Sequence, residues 1–342
     1  MLRNPLEDSS WDAKLSVMPG ATCFHSAGWM RVLHESYGYA PYCFASMKPE
    51  GFDTLLPMME VSSILTGRRG VSLPFTDFCE VLAASGNDLQ PLVEHSLNHA
   101  QEHSWKHVEF RGSAGLSASA AASARHLSHR LDLGKEPDEL WRGLSSAARR
   151  SIRKARDSGV VVSIGHDEAA MREFFRLHCL TRKRHGVPPQ PYAFFSNIGR
   201  YLAGQGLATI FLASGRDGRA IAAALFLYFG KHVIYKFGAS DMAFQDLRAN
   251  HLLMWQAIER FSGEGMGELH MGRTEIGHTG LRRYKLAWGA REEELVYFRY
   301  STQHGEFTTG GSPGSGWSQQ IFRRMPVPLS RMIGAFAYRH MA

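Results

Sequence analysis

The segment that most constrains the fold runs from residue 235 to residue 289 of this 342-residue chain. Its hydrophobic pattern predicts, in order, a strand, a loop, a helix at about 250–263 and a second strand within ELHMGR. A further loop and a turn rich in basic and aromatic residues follow. No other part of the sequence points to a reaction, so we expect the chemistry of this chain to lie where these two strands end.

Length and composition predict more than one domain, since roughly 150 residues per domain is typical. We expect an N-terminal domain at 1–135, a second domain at 136–300, and a linker with a basic amphipathic tail at 301–342. In the second domain helices alternate with strands, but the central strands follow one another through tight turns. This order predicts an α/β fold with a mixed sheet. The small-residue stretch 112–124 is expected to be a flexible surface insertion.

The charge and cysteine content narrow the function classes. A formal net charge of +7 favours anionic partners such as phosphate-bearing molecules. The four cysteines have no paired metal spacing and are too few for a disulfide scaffold, which favours a reducing cytoplasm. His95, His99 and His103 share one helix face, but without an HExxH frame we expect a solvated stripe and no metal. The N-terminus lacks a signal-peptide pattern, and no run of about 18 apolar residues predicts a membrane span.

Several motifs together resemble the FemAB-type branch of the GNAT acyltransferase superfamily, whose members are tandem GNAT domains. They are FGASDMAF, LRANHLLMWQAIERF, LHMGRT and GLRRYKLAWGA, with LSSAARRSIRKARDSGV and LTRKRHGVPPQPYAFF before them. Within that branch the chain is similar to the group associated with bacterial exopolysaccharide and PEP-CTERM/exosortase systems. The likeness covers most of 24–300 and also the tail.

The resemblance implies tandem GNAT-like domains and an N-acyltransferase or aminoacyltransferase that acts on an amine of a cell-envelope or exopolysaccharide-related acceptor. The co-substrate would be acyl-CoA or aminoacyl-tRNA, with no metal. The acceptor would be an anionic small molecule or a lipid-linked molecule, and tRNA is a further expected partner. Peptidoglycan cross-bridge enzymes of this type use aminoacyl-tRNA and a phosphate-bearing precursor.

The resemblance also gives candidate site residues. In a GNAT sheet two neighbouring strands splay apart, the acyl group enters the gap, and the loop before the next helix wraps the donor phosphates. We therefore expect a catalytic role for Lys285, Tyr235 and Arg273. Donor binding is expected from Gln245, Arg248, Asn250, Thr274 and Tyr284. Arg248 and Asn250 occupy positions where the family has glycines, which argues against ordinary acetyl-CoA binding. Alternatively, these two residues only cap the following helix.

Acceptor binding is expected from Arg182, Arg184, His185 and Tyr192, although the three cations also suit a helix C-terminus. A general base is left open among four candidates near the predicted cleft, which are Asp241, Glu275, His270 and His278.

Three alternatives remain open at this point. The chain could be a catalytically silent GNAT-like protein that binds an anionic envelope ligand or a partner. The basic helix at 142–156 could bind nucleic acid or membrane phosphates, or be an ordinary solvated face. The tail, in which apolar residues alternate with arginines, could place the protein peripherally at the inner membrane.

Overall fold

The structure is a computed structural model that describes residues 1–49, 51–84, 88–112, 116, 120–310 and 316–341, without the side chains of 316–319. The predictions of flexibility at 113–115 and 117–119, and of a linker at 311–315, lie outside the described residues. The chain forms two compact units: unit 1 comprises residues 1–127, 294–313 and 336–342, and unit 2 comprises 128–293 and 314–335.

Unit 1 contains two groups of strands and three helices in its first part. The elements are β1 (Leu2–Arg3), α1 (Trp11–Leu15), α2 (Ala27–Tyr37), β2 (Ala40–Pro41), β3 (Cys43–Lys48), β4 (Gly51–Leu56), β5 (Met59–Ser63), β6 (Gly67–Val71), β7 (Leu82–Ala83), α3 (Gln90–Glu102), β8 (His107–Arg111) and the start of β9 (Ala122–Asp132). Strands β1, β3, β4 and β7 form a four-stranded sheet in that order. Strands β2, β5, β6 and β8 lie side by side in a second sheet, with β6 and β8 parallel.

Unit 2 consists mainly of a five-stranded region with helices packed on it. The elements are α4 (Pro137–Gly143), α5 (Ser146–Asp157), β10 (Val161–Gly165), α6 (Glu168–His185), α7 (Tyr192–Tyr201), β11 (Ala208–Ser214), β12 (Ala220–Phe229), β13 (His232–Ser240), α8 (Ala249–Gly263), β14 (Glu268–Glu275) and α9 (Thr279–Leu286). The last elements of the chain are β15 (Arg291–Ser301), β16 (Glu306–Phe307), α10 (Gly316–Arg324) and α11 (Val327–Ala337). Short 3-10 helices cover Cys23–His25, Ala203–Gln205, Met242–Leu247 and Tyr338–His340.

The strands of unit 2 confirm the predicted mixed sheet. Strands β10 to β13 are antiparallel neighbours in sequence order, whereas β13 and β14 are parallel and α8 connects them. The parallel register runs from His232 opposite Glu268 to Ile234 opposite His270. Beyond that point pairing ends, although β13 continues to Ser240 and β14 to Glu275. The two strands therefore diverge toward their carboxyl ends, as expected from the resemblance to a GNAT sheet.

A helix-on-sheet core holds this region together. Helix α8 buries a nearly continuous apolar face, including Leu252, Trp255, Ile258 and Phe261, against the sheet. Helix α5 packs on α8, and its arginines face solvent on the other side. The basic helix thus has an exposed cationic face. This face is compatible with nucleic-acid binding, with binding of membrane phosphates and with an ordinary solvated surface. None of the described helices is both long and apolar enough to cross a membrane.

The structure corrects two local predictions. The basic helix expected at 142–156 is divided between two helices, because α4 ends at Gly143 with an extended Leu144 and Ser145 then caps α5 by accepting a hydrogen bond from the Ala148 N–H at 3.1 Å. The basic-aromatic turn after β14 is the helix α9, whose first turn His278 caps through Nδ1.

The compact units group the segments differently from the expected domain bounds, because unit 1 includes 294–313 and 336–342 as well as 1–127. Strand β15 was expected in the second domain and residues 336–342 in the tail. Strand β15 pairs with β8, and the Tyr338 carbonyl accepts a hydrogen bond from the Tyr39 hydroxyl at 3.0 Å. Such contacts between distant parts of a chain have no local sequence signal.

Candidate functional site

A cleft of about 390 Å³ lies at the carboxyl end of β13, between this strand, the C-terminus of α6 and the start of α8 and α9. It brings together seven residues that the sequence predicted as site residues: Tyr235, Gln245, Arg248, Asn250, Tyr284, Arg184 and His185. The cleft is lined by the part of β13 that extends beyond its pairing with β14, although no residue of β14 lines it. Residues of β12, β13, three helices and the 3-10 helix Met242–Leu247 converge here, which is the arrangement expected for a substrate site.

Arg248 gives the loop before α8 the backbone conformation that a glycine would adopt. Its φ is 57°, in the left-handed region, and it immediately precedes the first residue of α8. A non-glycine residue there costs about 1 to 2 kcal/mol. The loop therefore keeps this backbone conformation even though Arg248 stands where the family has a glycine. Neither Arg248 nor Asn250 forms a side-chain cap, since α8 has no side-chain hydrogen bond at its N-cap and Asn250 lies inside the helix.

The cleft has more positive than negative charge. Asp241 is the one acidic residue among its described lining residues, and its carboxylate lies 3.3 Å from a guanidinium nitrogen of Arg219. Within the described part of the chain, Arg184 and Arg248 form no ion pair with a carboxylate. Two uncompensated guanidinium groups together with the N-terminus of α8 favour an anionic ligand.

Two tyrosines, Tyr235 of β13 and Tyr284 of α9, line the cleft. Burial raises the pKa of Tyr235 to about 12. Burial also raises the pKa of Tyr284 well above its usual value, and the nearby Tyr235 adds to this effect. Gly238 makes room for Tyr235, because a Cβ at residue 238 would overlap the tyrosine hydroxyl. Both hydroxyls thus remain protonated at neutral pH and can donate hydrogen bonds.

His251 is a cleft residue that the sequence analysis missed. It lies in the first turn of α8, with its ring 5.6 Å from that of Tyr284 and 6.0 Å from that of Trp288. Burial, and next the charge of Arg248, lower its pKa to about 4. The imidazole is therefore neutral at pH 7 and can accept a hydrogen bond, while burial and Arg248 oppose its protonation. The available signal was a histidine three positions after Arg248, directly before the apolar run LLMW of α8.

Lys285, Arg273 and Thr274 do not line the cleft. The ammonium group of Lys285 is buried and donates to the carbonyl oxygens of Gly272 at 2.6 Å and Arg273 at 3.0 Å. The Arg273 side chain is exposed, with Nε 4.0 Å from a Glu275 carboxylate oxygen. Thr274 is buried, with Oγ1 3.5 Å from Nδ1 of His129. The structure thus places Lys285 as an anchor for the end of β14.

The other predicted acceptor residues separate from Arg184 and His185. Arg182 donates from Nε to the Pro188 carbonyl at 3.2 Å and so supports the turn after α6. Tyr192 lies outside the cleft and donates to Glu168 at 2.7 Å.

The four candidate bases also differ in position. Asp241 and His278 line the cleft, but each caps a helical segment, through hydrogen bonds from the Ala243 and Leu281 N–H groups. His270 is buried. Its Nδ1 accepts a hydrogen bond from the Gly272 N–H, and its Nε2 is hydrogen-bonded to the Ser128 hydroxyl at 2.9 Å. Glu275 is exposed outside the cleft. His251 is therefore better placed than any of them.

The histidine stripe of α3 is not simply solvated. His99 is buried against Tyr42, Phe44 and Trp105. Potential ligand atoms of His99, Glu102 and His103 lie within 4.8 Å of one another, but the two imidazole rings stack face to face at 3.8 Å. The expectation of a fully solvated stripe was wrong because His99 completes an aromatic cluster of unit 1.

Comparison with known proteins identifies the fold. Residues 144–286 match the family model of the acetyltransferase (GNAT) domain. The crystal structure of FemX has a TM-score of 0.64 at 15% identity, covering 84% of this chain and 95% of FemX. A tandem GNAT protein from the clavulanic acid biosynthesis pathway has a TM-score of 0.53 at 12% identity, covering 88% of this chain and 99% of that protein.

A third similar structure is the C-terminal domain of an Agrobacterium fabrum protein assigned as a lysylphosphatidylglycerol synthetase. Its TM-score is 0.57 at 11% identity, and the match covers 90% of this chain and 91% of that domain. None of the curated protein sequences matches the chain. These findings confirm the tandem GNAT-like fold and the resemblance to the FemAB-type branch.

Proposed function

We propose that this protein, with its tandem GNAT-like fold, transfers an activated acyl or aminoacyl group to an amine of an anionic cell-envelope acceptor. The observation that carries the proposal is the cationic cleft beside the part of β13 that extends beyond its pairing with β14. FemX and the lysylphosphatidylglycerol synthetase domain are similar to this chain in fold. The product named in the second title is an amino acid attached to an anionic lipid.

The donor would bind at the N-terminal end of α8. The first backbone N–H groups of a helix lack intrahelical partners and attract phosphate, and the Arg248 guanidinium adds a full charge beside them. Gln245 and Asn250 line the same side of the cleft. Both acyl-CoA and the acceptor end of aminoacyl-tRNA carry phosphates that suit this arrangement.

The acyl carbonyl would lie in the gap beside β13. Alternate backbone groups of β13 beyond Ile234 face this gap, so an N–H group there can stabilise the developing oxyanion. The neutral His251 imidazole can accept a hydrogen bond from the attacking neutral amine and take its proton as the new C–N bond forms. The protonated hydroxyl of Tyr284 or Tyr235 can donate to the departing group.

The acceptor would approach from the C-terminal end of α6. Arg184 and His185 line the cleft on that side, opposite α8. Lys285 would act as a positioning residue, because its ammonium fixes the carbonyls of Gly272 and Arg273 at the end of β14. Membrane contact through the tail is part of the proposal, supported by the exposed Ile321, Leu329 and Met332.

The test offers purified protein two labelled donors, an acyl-CoA pool and an aminoacyl-tRNA pool, with amine-containing envelope fractions as acceptors. A labelled product that depends on Arg248 and His251 supports the proposal and identifies the donor. Binding of either donor without any product from any fraction would support the catalytically silent binding protein instead.

A further inference from the structure

The end of α3 in unit 1 places three potential metal ligands next to one another. They are His99, Glu102 and His103, and one ligand atom from each lies within 4.8 Å of the other two. Their order in the sequence, H-x-x-E-H, is the reverse of the HExxH frame and still places the two histidines one helical turn apart on the same face. The spacing of the side chains is therefore compatible with a single metal ion.

His99 is the fixed member of this group. It is 7% exposed, and its ring lies 4.9 Å from that of Tyr42, 5.5 Å from that of Phe44 and 5.2 Å from that of Trp105. Its Nε2 is buried and has no hydrogen-bond partner among the residues that the structure describes. A buried polar atom without a partner is costly, and a metal ion bound at this nitrogen would supply the missing interaction.

His103 is held in the tautomer that a metal ligand requires. Its Nδ1 donates a hydrogen bond to the carbonyl oxygen of His99 at 3.0 Å, so the proton is on Nδ1 and the lone pair is on Nε2. A hydrogen bond from the second ring nitrogen to a carbonyl oxygen is the usual way in which a protein orients a metal-binding histidine. The Nε2 of His103 is therefore ready to bind a cation.

Glu102 supplies a negative charge at the exposed side of the group. Its carboxylate forms no ion pair within the described part of the chain. The last carbonyl groups of a helix also carry a partial negative charge, and the three side chains lie at the C-terminal end of the 13-residue helix α3. Both effects favour a bound cation here.

The stacked rings of His99 and His103 are close to the separation that a shared ion needs. Their centres are 3.8 Å apart, with 23° between the ring planes. Two imidazole nitrogens bound to one tetrahedral zinc ion lie about 3.4 Å apart, given Zn–N bonds of about 2.0 to 2.1 Å. The exposed side chains of Glu102 and His103 can rotate to direct their ligand atoms toward the ion, while His99 stays in place.

We propose that His99, Glu102 and His103 form a zinc site of unit 1. Two imidazole nitrogens and one carboxylate oxygen bind the ion, and solvent completes a tetrahedral set on the exposed side. This mixture of imidazole and carboxylate suits Zn²⁺, whereas Mg²⁺ and Ca²⁺ prefer ligand sets of oxygen alone. The inference goes beyond the proposed function and does not depend on it, because the three ligands belong to unit 1 and the cleft to unit 2.

The first test measures Zn²⁺ binding by the metal-free full chain at neutral pH, in competition with a chromogenic zinc chelator. Glu102→Gln and His103→Gln should each weaken binding at least about tenfold. Both residues are exposed, so neither substitution disturbs the aromatic cluster around His99. A large excess of Mg²⁺ should not displace the zinc ion.

Two matched controls lie on the same helix. Glu94→Gln and His95→Gln make the same chemical changes at exposed positions of α3 and should bind zinc like the parent protein. Equal weakening in the controls would mean a general attraction of cations to this helix and would overturn the site. Parental binding in both Glu102→Gln and His103→Gln would place the ion elsewhere and would also overturn it.

A second measurement replaces zinc with Co²⁺, whose visible absorption reports the geometry of its ligands. The parent protein should show the strong bands of tetrahedral cobalt, and His103→Gln should lose them. A weak octahedral spectrum in the parent protein would mean an adventitious ion only.

Thermal unfolding gives the third measurement. Zinc should raise the unfolding midpoint of the parent protein, because it binds the folded state, and a chelator should reverse the increase. An equal increase in His103→Gln would assign the stabilising ion to other residues and contradict the proposal.

Discussion

The backbone N–H of His251 donates a hydrogen bond of 2.9 Å to the carbonyl oxygen of Arg248, so that a cation and a neutral imidazole are held together at the start of α8. Arg248 reaches this position through a left-handed backbone conformation. Under the proposed function, this pair would bring a charge that binds donor phosphate and a proton acceptor to the same end of the cleft.

Replacement of Arg248 should separate backbone strain from charge. Arg248→Gly and Arg248→Ala both remove the guanidinium, but only glycine relieves the φ of 57°. We expect Arg248→Gly to be about 1 kcal/mol more stable than Arg248→Ala. Urea unfolding measures this difference. Both variants should raise the KM for the donor by a similar factor, about tenfold or more. Equal stabilities would show that this loop is unstrained.

Substitution of Lys285 should reduce stability. Lys285→Met leaves the buried carbonyls of Gly272 and Arg273 without their donor, and this should lower the free energy of unfolding by about 2 to 4 kcal/mol. Chemical denaturation checks it, with Lys183→Met, a partly exposed lysine of α6, as the control. Parental stability together with lost transfer would instead mean that the ammonium acts directly on the substrate.

Acid should destabilise unit 2 through His178. Burial lowers its pKa to about 3, so the folded state binds a proton less readily than the unfolded chain. Above pH 6.5 the imidazole is neutral in both the folded and the unfolded state, so it does not change the free energy of unfolding. As the pH falls from about 6.5 toward 3, the unfolded chain binds a proton first, and the free energy of unfolding decreases.

The variant His178→Phe tests this dependence. Its ring can join Phe174, Phe195 and Phe237, although the Gln190 amide loses its partner. We expect a loss of about 1 to 2 kcal/mol at pH 7 and a smaller further loss at pH 5 than in the parent. A parallel decline of both proteins between these pH values would contradict the assignment.

The order of elements around the site was predictable, because β13, α8 and β14 each have a clear hydrophobic pattern and a marked end. Residues such as Tyr235 and Arg248 were expected from the resemblance to a GNAT sheet, in which the first strand and the loop before the next helix form the site. The break between α4 and α5 was also readable, since Ser145 is a common type of N-cap residue.

Other features depend on tertiary structure. Lys285 was expected to act in catalysis, and lysine is rarely buried, yet its buried ammonium donates hydrogen bonds to two carbonyls of β14. Helix α9 lacks a usual N-cap residue, since His278 takes that role. His251 has a low pKa only because α9 and Arg248 surround it. The pairing of β15 with β8 joins residues far apart in the chain, which local patterns do not reveal.

The most direct test of the account measures single-turnover transfer from the donor that labels an acceptor, with the parent protein, His251→Gln and the matched control His232→Gln. His232 lies on β13 at the end away from the cleft. We predict that His251→Gln lowers the transfer rate at least about 100-fold with little change in donor affinity or stability, and that His232→Gln transfers normally. A parental rate in His251→Gln would contradict the assignment of the proton acceptor, and parental rates in Arg248→Ala as well would remove the cleft as the site of transfer.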